Sequence, residues 1–211
     1  MDSLRYWKKD KTFTYTFVMK AKKLTITQEV GFKLIDTTKN ALKIEAEIQK
    51  MTWEDGSEYE EDTNKYYTDN FVNRPLIFSL NPKGEIIDKL SYKNGSPEEV
   101  PVFDVNNFFI ELPNDIKKLG YSWTSKRPIK DIMFNEVIST FTLKKIEKDS
   151  LVYINISSKF KGDTEGFTKF FKGVYILNTK NGMLEEGTLK ITGFNGFSTI
   201  SGDIHIVKNS N

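Results

Sequence analysis

A strict alternation of apolar and polar residues dominates the first third of the chain. In the stretch TFTYTFVM, Phe13, Tyr15 and Phe17 fall on one face of an extended backbone, and threonines occupy the other face. Because successive side chains of a strand point to opposite faces, this pattern predicts a strand with one buried face. The alternation continues through residues 24–36 and 41–53. Three long strands joined by short polar turns predict an antiparallel meander.

The second half of the chain repeats features of the first half, with matched apolar positions 109 residues apart. The matched pairs are Phe32 with Phe141, Leu34 with Leu143, Leu42 with Leu151, and Ile44 with Tyr153. We interpret them as an internal duplication with repeats at 7–96 and 123–193, each opening on a tryptophan, Trp7 or Trp123. Generic strand periodicity is the alternative, since alternating strands resemble one another without common origin.

One helix is predicted between the two repeats, in the joining segment 97–122. PEEVPVFDVNNFFIEL (97–112) begins with Pro97 and two glutamates, and its apolar residues recur at a spacing near that of a helix. Pro113 would end the helix. Its position at the joint suits a plug or a lid over the interior.

The acidic segment 53–70 is interpreted as a solvated loop. Its carboxylates could offer oxygens to calcium, but the spacing of an EF-hand loop is absent. Tyr59, Tyr66 and Tyr67 make a lid or a recognition loop the alternative, because long loops in compact domains often carry such roles.

Together these patterns predict an all-β fold with one short helix. Residues 1–211 would form a single β domain, a duplicated antiparallel meander of about 10 to 11 strands. A sheet of that size has to curl, so we expect a barrel or a curved half-barrel.

Several function classes are excluded by what the composition lacks. The net charge of +2 comes from 31 basic and 29 acidic residues that are interspersed, which argues against a nucleic-acid partner. The chain has no cysteine and a single histidine, His205, so thiol catalysis and a zinc site are not expected. We predict no enzyme activity, no cofactor, no metal site and no transmembrane segment, since the longest apolar runs are far shorter than about 20 residues.

The step after the predicted helix resembles an uncharacterised family of bacterial exported proteins and lipoproteins. The matching residues are Leu112, Pro113, Ile116, Gly120 and Trp123. Tyr121 and Asn178 stand where that family more often has Asp, and the resemblance covers roughly residues 75–193. It implies a mostly β protein that is secreted, periplasmic or on the outer surface, with its export signal removed. The start MDSLRYWKKD contains no apolar signal core, and a cytosolic protein would begin the same way.

An interior lined by aromatic rings predicts a binding function. The candidate ligand-binding residues are Phe13, Tyr15, Phe17, Phe32, Phe108, Phe109, Phe141 and Tyr153. Barrels of more than eight strands have room for a guest, so we expect a hydrophobic or amphipathic small molecule, such as a lipid, bound in the cell envelope. The alternative is a structural or protein-interaction module of the envelope, with a filled core and an envelope protein as its partner.

Overall fold

The structure is a computed structural model that describes most of the chain. The described residues are 12–81, 84–88, 91–93, 108–113, 118–128, 134–147, 150–162, 167–180, 182–195 and 199–209. They form one antiparallel sheet of eleven strands and one helix. The strands are β1 (Thr12–Ala21), β2 (Leu24–Thr37), β3 (Leu42–Glu54), β4 (Leu76–Leu80), β5 (Ser91–Tyr92), β6 (Ser122–Pro128), β7 (Glu136–Glu147), β8 (Leu151–Lys161), β9 (Phe167–Asn178), β10 (Met183–Asn195) and β11 (Thr199–Lys208), and the helix is α1 (Glu60–Phe71).

The strand order is β5-β4-β3-β2-β1-β11-β10-β9-β8-β7-β6. Two meanders therefore meet at the centre of the sheet, where β1 pairs with β11 in the register Phe17 to Ile206. The two edges are β5 and β6, and the chain passes from one edge to the other between Tyr92 and Ser122. The sheet is curved but not closed, so the prediction of an all-β curved half-barrel is confirmed.

The core lies on one face of the sheet, which we call the inner face. Phe13, Tyr15 and Phe17 of β1 are buried, and Phe32 and Val30 lie directly opposite Phe13 and Tyr15 on β2. Burying a large apolar side chain contributes about 1.5–3 kcal/mol, and the alternation assigns such residues to a single face. The buried side chains of both meanders form one continuous hydrophobic cluster.

The prediction of a solvated loop in the acidic segment is wrong, because Glu60–Phe71 form α1. The acidic residues Glu60, Glu61 and Asp62 occupy the first turn, where the positive end of the helix dipole favours them. Phe71 at the other end is buried in the core. The acidic composition of this segment therefore suggested a solvated loop, whereas its acidic residues lie in the first turn of a helix.

Helix α1 covers the part of β3 that extends beyond β4. β4 pairs only with residues 42–46 of β3. Further along, the Asn64 amide accepts a hydrogen bond from the Trp53 backbone N–H at 2.6 Å and donates one to the Trp53 carbonyl at 2.7 Å. Asn64 thus satisfies the two backbone groups that a neighbouring strand would otherwise pair.

The predicted helix at 97–112 is wrong over the part that can be compared, residues 108–112; residues 97–107 lie outside the described residues. Phe108, Ile110 and Leu112 are buried while Phe109 and Glu111 are half-buried, which is the alternation of an extended segment. The helix was predicted because Phe108 and Phe109 continue the helical spacing of Val102 and Val105 in the sequence. We call residues 108–113 the strap.

The sheet order bears on the proposed duplication, which stays a prediction. Strands β5 to β1 and β10 to β6 follow one another along the sheet in the same sense, as a tandem repeat would produce. The β2–β3 ladder shifts register between Leu34 and Asp36, and the β7–β8 ladder between Leu143 and Lys145, at the same 109-residue offset. Trp7, which would open the first repeat, lies outside the described residues.

Candidate functional site

Six of the eight predicted ligand-binding residues are buried on the inner face or against it. These are Phe13, Tyr15, Phe17, Phe32, Phe108 and Phe141. Phe109 is half-buried and packs against the same core. The structure therefore brings most of the predicted residues together, and the strap contributes two of them.

Phe108 of the strap lies among three aromatic rings of the first meander. Its ring centroid is 5.0 Å from that of Phe32, 5.4 Å from that of Tyr15 and 6.3 Å from that of Phe17. These separations are typical of favourable aromatic pairs, worth about 0.5–1.5 kcal/mol each beyond the buried area. The side chain of Phe108 thus fills the inner face of β1 and β2.

Phe109 extends the same cluster toward the sheet edge. Its ring centroid is 5.4 Å from that of Phe32 and 5.7 Å from that of Phe78 of β4, both in edge-on geometry. Phe78 is fully buried and was not among the predicted residues. It follows the inward alternation of β4, so its burial could have been read from the pattern of LIFSL. We call Tyr15, Phe17, Phe32, Phe78, Phe108 and Phe109 the aromatic cluster.

The strap lies between the two edges of the open sheet. On the β6 side, Trp123 Nε1 donates a hydrogen bond to the Glu111 carbonyl at 2.7 Å, and an Arg127 guanidinium nitrogen lies 3.5 Å from the Phe109 carbonyl. On the other side, Gly84 follows β4 with φ +85°, and a Cβ there would lie 2.9 Å from the Ile110 carbonyl oxygen. Glycine at that turn allows the close approach.

We call the contacts of the strap with β6 and with the turn after β4 the seam. The Glu111 carboxyl contacts both sides of it. It is hydrogen-bonded to Ser125 of β6 and to the Glu85 carboxyl, and Arg127 lies near it. Desolvation by burial raises the pKa of Glu111, and the neighbouring Glu85 raises it further, against the opposing effect of Ser125 and Arg127. Two carboxyls that share a hydrogen bond favour a shared proton, so protonation strengthens this contact.

The Tyr15 hydroxyl is already used in the free protein. It donates a hydrogen bond to the Leu184 carbonyl at 3.0 Å. Burial strongly raises the pKa of Tyr15, and the nearby Glu185 carboxylate adds to the effect. Tyr15 therefore presents its ring to the interior and remains neutral.

Gln28 is a polar residue on the inner face and was not among the predicted site residues. It is 1% exposed, and its Nε2 lies 3.5 Å from the Met51 sulfur, a weak acceptor. Directly across the β1–β2 ladder lies Phe17, a member of the aromatic cluster. The signal was present in the sequence, since Gln28 interrupts the inward series of Ile26 and Val30.

Tyr153 does not join the aromatic cluster. The buried residues of β8 include Val152 and Ile154, so Tyr153 lies on the opposite, outer face. There its hydroxyl donates to a Glu147 carboxylate oxygen at 2.7 Å, which raises the pKa of Tyr153. The match of Tyr153 with Ile44, which is buried, fails because it joins residues of opposite faces.

Phe141 occupies the inner face of the second meander, apart from the strap phenylalanines. Its ring stacks on that of Trp123 at 5.4 Å, and Trp123 stacks in turn on Tyr121. Trp123 also bonds the strap, so Phe141 supports the β6 side of the seam rather than the aromatic cluster itself.

The single histidine and the acidic side chains of the described residues do not come together in one cluster. His205 is exposed on β11 between two buried isoleucines, as expected of a surface strand histidine. No group of three or more acidic or histidine side chains in the described ranges could hold a metal ion. Nor does any helix within those ranges have the length and apolar character that a bilayer crossing requires.

An open groove of about 320 Å³ lies on the outer face of β7, β8 and β9. Its lining consists mainly of hydroxyl, amide and ammonium side chains: Thr140, Thr142, Lys144, Asn155, Ser157 and Lys172. Two lysines and several hydroxyl and amide groups line this groove, unlike the aromatic interior from which an apolar guest was predicted.

The resemblance to the family of bacterial exported proteins stays a prediction. Of its matching residues, Ile116 lies outside the described residues, whereas Leu112 and Trp123 belong to the strap and its β6 contact. Comparison with models of known protein families found no match, and comparisons with the curated proteins and with the solved structures found none either.

Proposed function

We propose that this protein binds a hydrophobic or amphipathic small molecule, such as a lipid, between the inner face of the sheet and the strap. The observation that carries the proposal is the placement of Phe108 and Phe109. Both belong to a segment outside the β ladders, yet their rings complete the aromatic cluster. In line with the resemblance of the sequence, the protein would act in the cell envelope after export.

The strap is the part of this cover that can move at the lowest cost. Each strand shares a ladder of backbone hydrogen bonds with its neighbours, whereas the contacts described for the strap are ring contacts and side-chain hydrogen bonds. Lifting it would expose Phe108, Ile110 and Leu112, at about 1.5–3 kcal/mol for each side chain. A guest has to cover the apolar surface that the lifted strap exposes. A long or multi-ring apolar molecule is large enough to do so.

Phe108 and a guest would compete for the same space. Truncating this ring in Phe108→Ala removes the competitor, so we expect an apolar fluorescent probe such as N-phenylnaphthylamine to bind roughly tenfold more tightly, since about 1.4 kcal/mol corresponds to a tenfold change. Phe194→Ala is the matched control, because Phe194 is a strand phenylalanine that is 43% exposed. Probe titration of wild type and both variants measures the effect.

Native mass spectrometry of protein purified from its own host provides the complementary test. A co-purifying small molecule that is lost on mild organic extraction supports the proposal. Absence of any such molecule, together with probe binding that Phe108→Ala leaves unchanged, would contradict it.

A structural or protein-interaction module is the second candidate. It is favoured by two aromatic rings exposed to solvent, Tyr66 of α1 at 44% and Tyr59, the residue just before α1, at 65%. In that case the aromatic cluster is simply a filled core, and the surface around Trp53 to Phe71 contacts an envelope protein. Probe binding to Tyr66→Ala separates the two functions. It is unchanged if the guest lies under the strap, and it is weakened if the probe binds the exposed rings of this surface.

A further inference from the structure

The Gln28 side chain is the one buried polar group of the described residues whose oxygen lacks a partner. Its Oε1 is shielded from solvent and accepts no hydrogen bond from any residue that the structure describes. The side-chain nitrogen is held by the Met51 sulfur, which orients the amide. The remaining acceptor therefore lies in an apolar surrounding with its lone pairs unused.

An unpaired buried carbonyl is costly to keep. Buried polar groups in folded proteins are nearly always hydrogen-bonded, and a buried acceptor left alone destabilises the folded state. Leucine or isoleucine at this position would continue the series of Ile26 and Val30 without that cost. A glutamine here is explained if a molecule that enters the interior supplies the donor.

The location of Gln28 connects it to the proposed binding site. Gln28 pairs with Phe17 across the β1–β2 ladder and with Met51 across the β2–β3 ladder. Phe17 in turn lies 6.3 Å from Phe108 of the strap, measured between ring centroids. A guest that displaces Phe108 would thus have its buried portion close to the Gln28 amide.

We infer that Gln28 is the polar anchor of the site and that the guest carries a hydrogen-bond donor, such as a hydroxyl, an amide N–H or a protonated acid, which bonds Gln28 Oε1. The inference rests on the proposed function and narrows its ligand class to amphipaths with a donor group. Hydrocarbons and ethers of the same size would bury equal apolar surface but leave the carbonyl unpaired. They therefore bind more weakly.

Two isomeric probes test this inference. Decanol and methyl nonyl ether have the same heavy atoms, but only decanol donates a hydrogen bond. In displacement of N-phenylnaphthylamine from the wild-type protein, we expect decanol to be effective at about tenfold lower concentration than the ether, the preference that an unpaired buried group imposes. In Gln28→Leu the preference disappears. Gln49→Leu is the matched control, since Gln49 is an exposed glutamine of β3.

The thermal midpoint of the ligand-free variants provides a second readout. Gln28→Leu removes the unpaired carbonyl, so we expect a higher midpoint than in wild type, while Gln49→Leu changes it little. A lower midpoint for Gln28→Leu would show that the carbonyl is already satisfied in the free protein, and would overturn the inference.

The outcomes also separate this inference from the proposed function. If both isomers displace the probe equally from wild type and from Gln28→Leu, the binding site stands but Gln28 is not its anchor. If the apolar probe binds neither the wild type nor Phe108→Ala, the proposed function fails, and the anchor role fails with it.

Discussion

The two meanders of the sheet have similar backbones but different inner faces. The first meander, β1 to β5, presents closely packed rings, with Tyr15, Phe32 and Phe78 in contact with the strap. The second, β6 to β11, buries rings of its own, with the centroids of Phe160 and Phe171 4.9 Å apart, together with aliphatic side chains and the hydroxyl of Ser158. The same two-residue alternation thus builds two buried faces, and the ring contacts described for the strap lie on the first of them.

The two meanders also differ in how polar groups are satisfied on the inner face. In the second meander, the hydroxyl of Ser158 bonds that of Ser139 at 2.7 Å. In the first, the Gln28 carbonyl has no such partner among the described residues. The second meander thus pairs this buried hydroxyl internally, whereas the first contains the Gln28 carbonyl that we propose as the polar anchor of the site.

The largest expected effect compares two inner-face phenylalanines that lie 109 residues apart in the sequence, Phe32 and Phe141. Phe32→Ala should lower the free energy of unfolding by about 3–5 kcal/mol, because Phe32 is fully buried and contacts Tyr15, Phe108 and Phe109. Phe141→Ala should cost less, since Trp123 is the stacking partner described for it. Urea denaturation of both variants measures the difference, and a larger loss for Phe141→Ala would reverse the comparison.

A smaller effect is expected where α1 covers the edge of the first meander. Asn64→Ala removes both hydrogen bonds to the Trp53 backbone, so we expect a loss of about 1–3 kcal/mol and faster amide exchange at Trp53. Asn70→Ala is the control, since the hydrogen bond described for the Asn70 amide is to the Tyr66 carbonyl of its own helix, in an exposed position. Equal losses in the two variants would contradict the edge-covering role of α1.

The smallest effect concerns the seam, and it depends on pH. The pKa of Glu111 is raised in the folded protein, so its contribution to stability is fully present below the pKa of the unfolded chain and is lost as the pH rises through the folded pKa. Glu111→Gln keeps a neutral side chain throughout. The stability of this variant minus that of wild type should therefore increase from acidic to neutral pH.

Denaturation midpoints across that pH range, with Glu186→Gln on the exposed outer face as control, would measure the effect. A difference between Glu111→Gln and wild type that is independent of pH would show that the strap is held without the carboxyl pair. The strap would then be held by the Trp123 hydrogen bond, by the Arg127 contact with the Phe109 carbonyl and by ring contacts.

Much of the aromatic interior could be predicted from the sequence because strand alternation is local. The inward positions of Phe13, Tyr15 and Phe17 follow from the backbone pleat alone. Tyr153 was misplaced because the match with Ile44 ignored the face on which each residue lies. In the β2–β3 ladder Leu34 pairs with Ile44, whereas in the β7–β8 ladder Leu143 pairs with Ile154. Ile44 therefore lies on the inner face, and Tyr153, its match in the sequence, lies on the outer face.

The sequence by itself determined that the chain forms strands with one buried face, because the period of two is a property of the extended backbone. Contacts between residues far apart in the chain decided the rest. They determined the edge that each meander presents, the position of the strap and the non-helical backbone of residues 108–112. Only the tertiary structure placed Gln28 beside Phe17, whose ring contacts Phe108 of the strap. The physical reason is that strand pairing and the crossing from edge to edge are long-range choices, whereas alternation is encoded residue by residue.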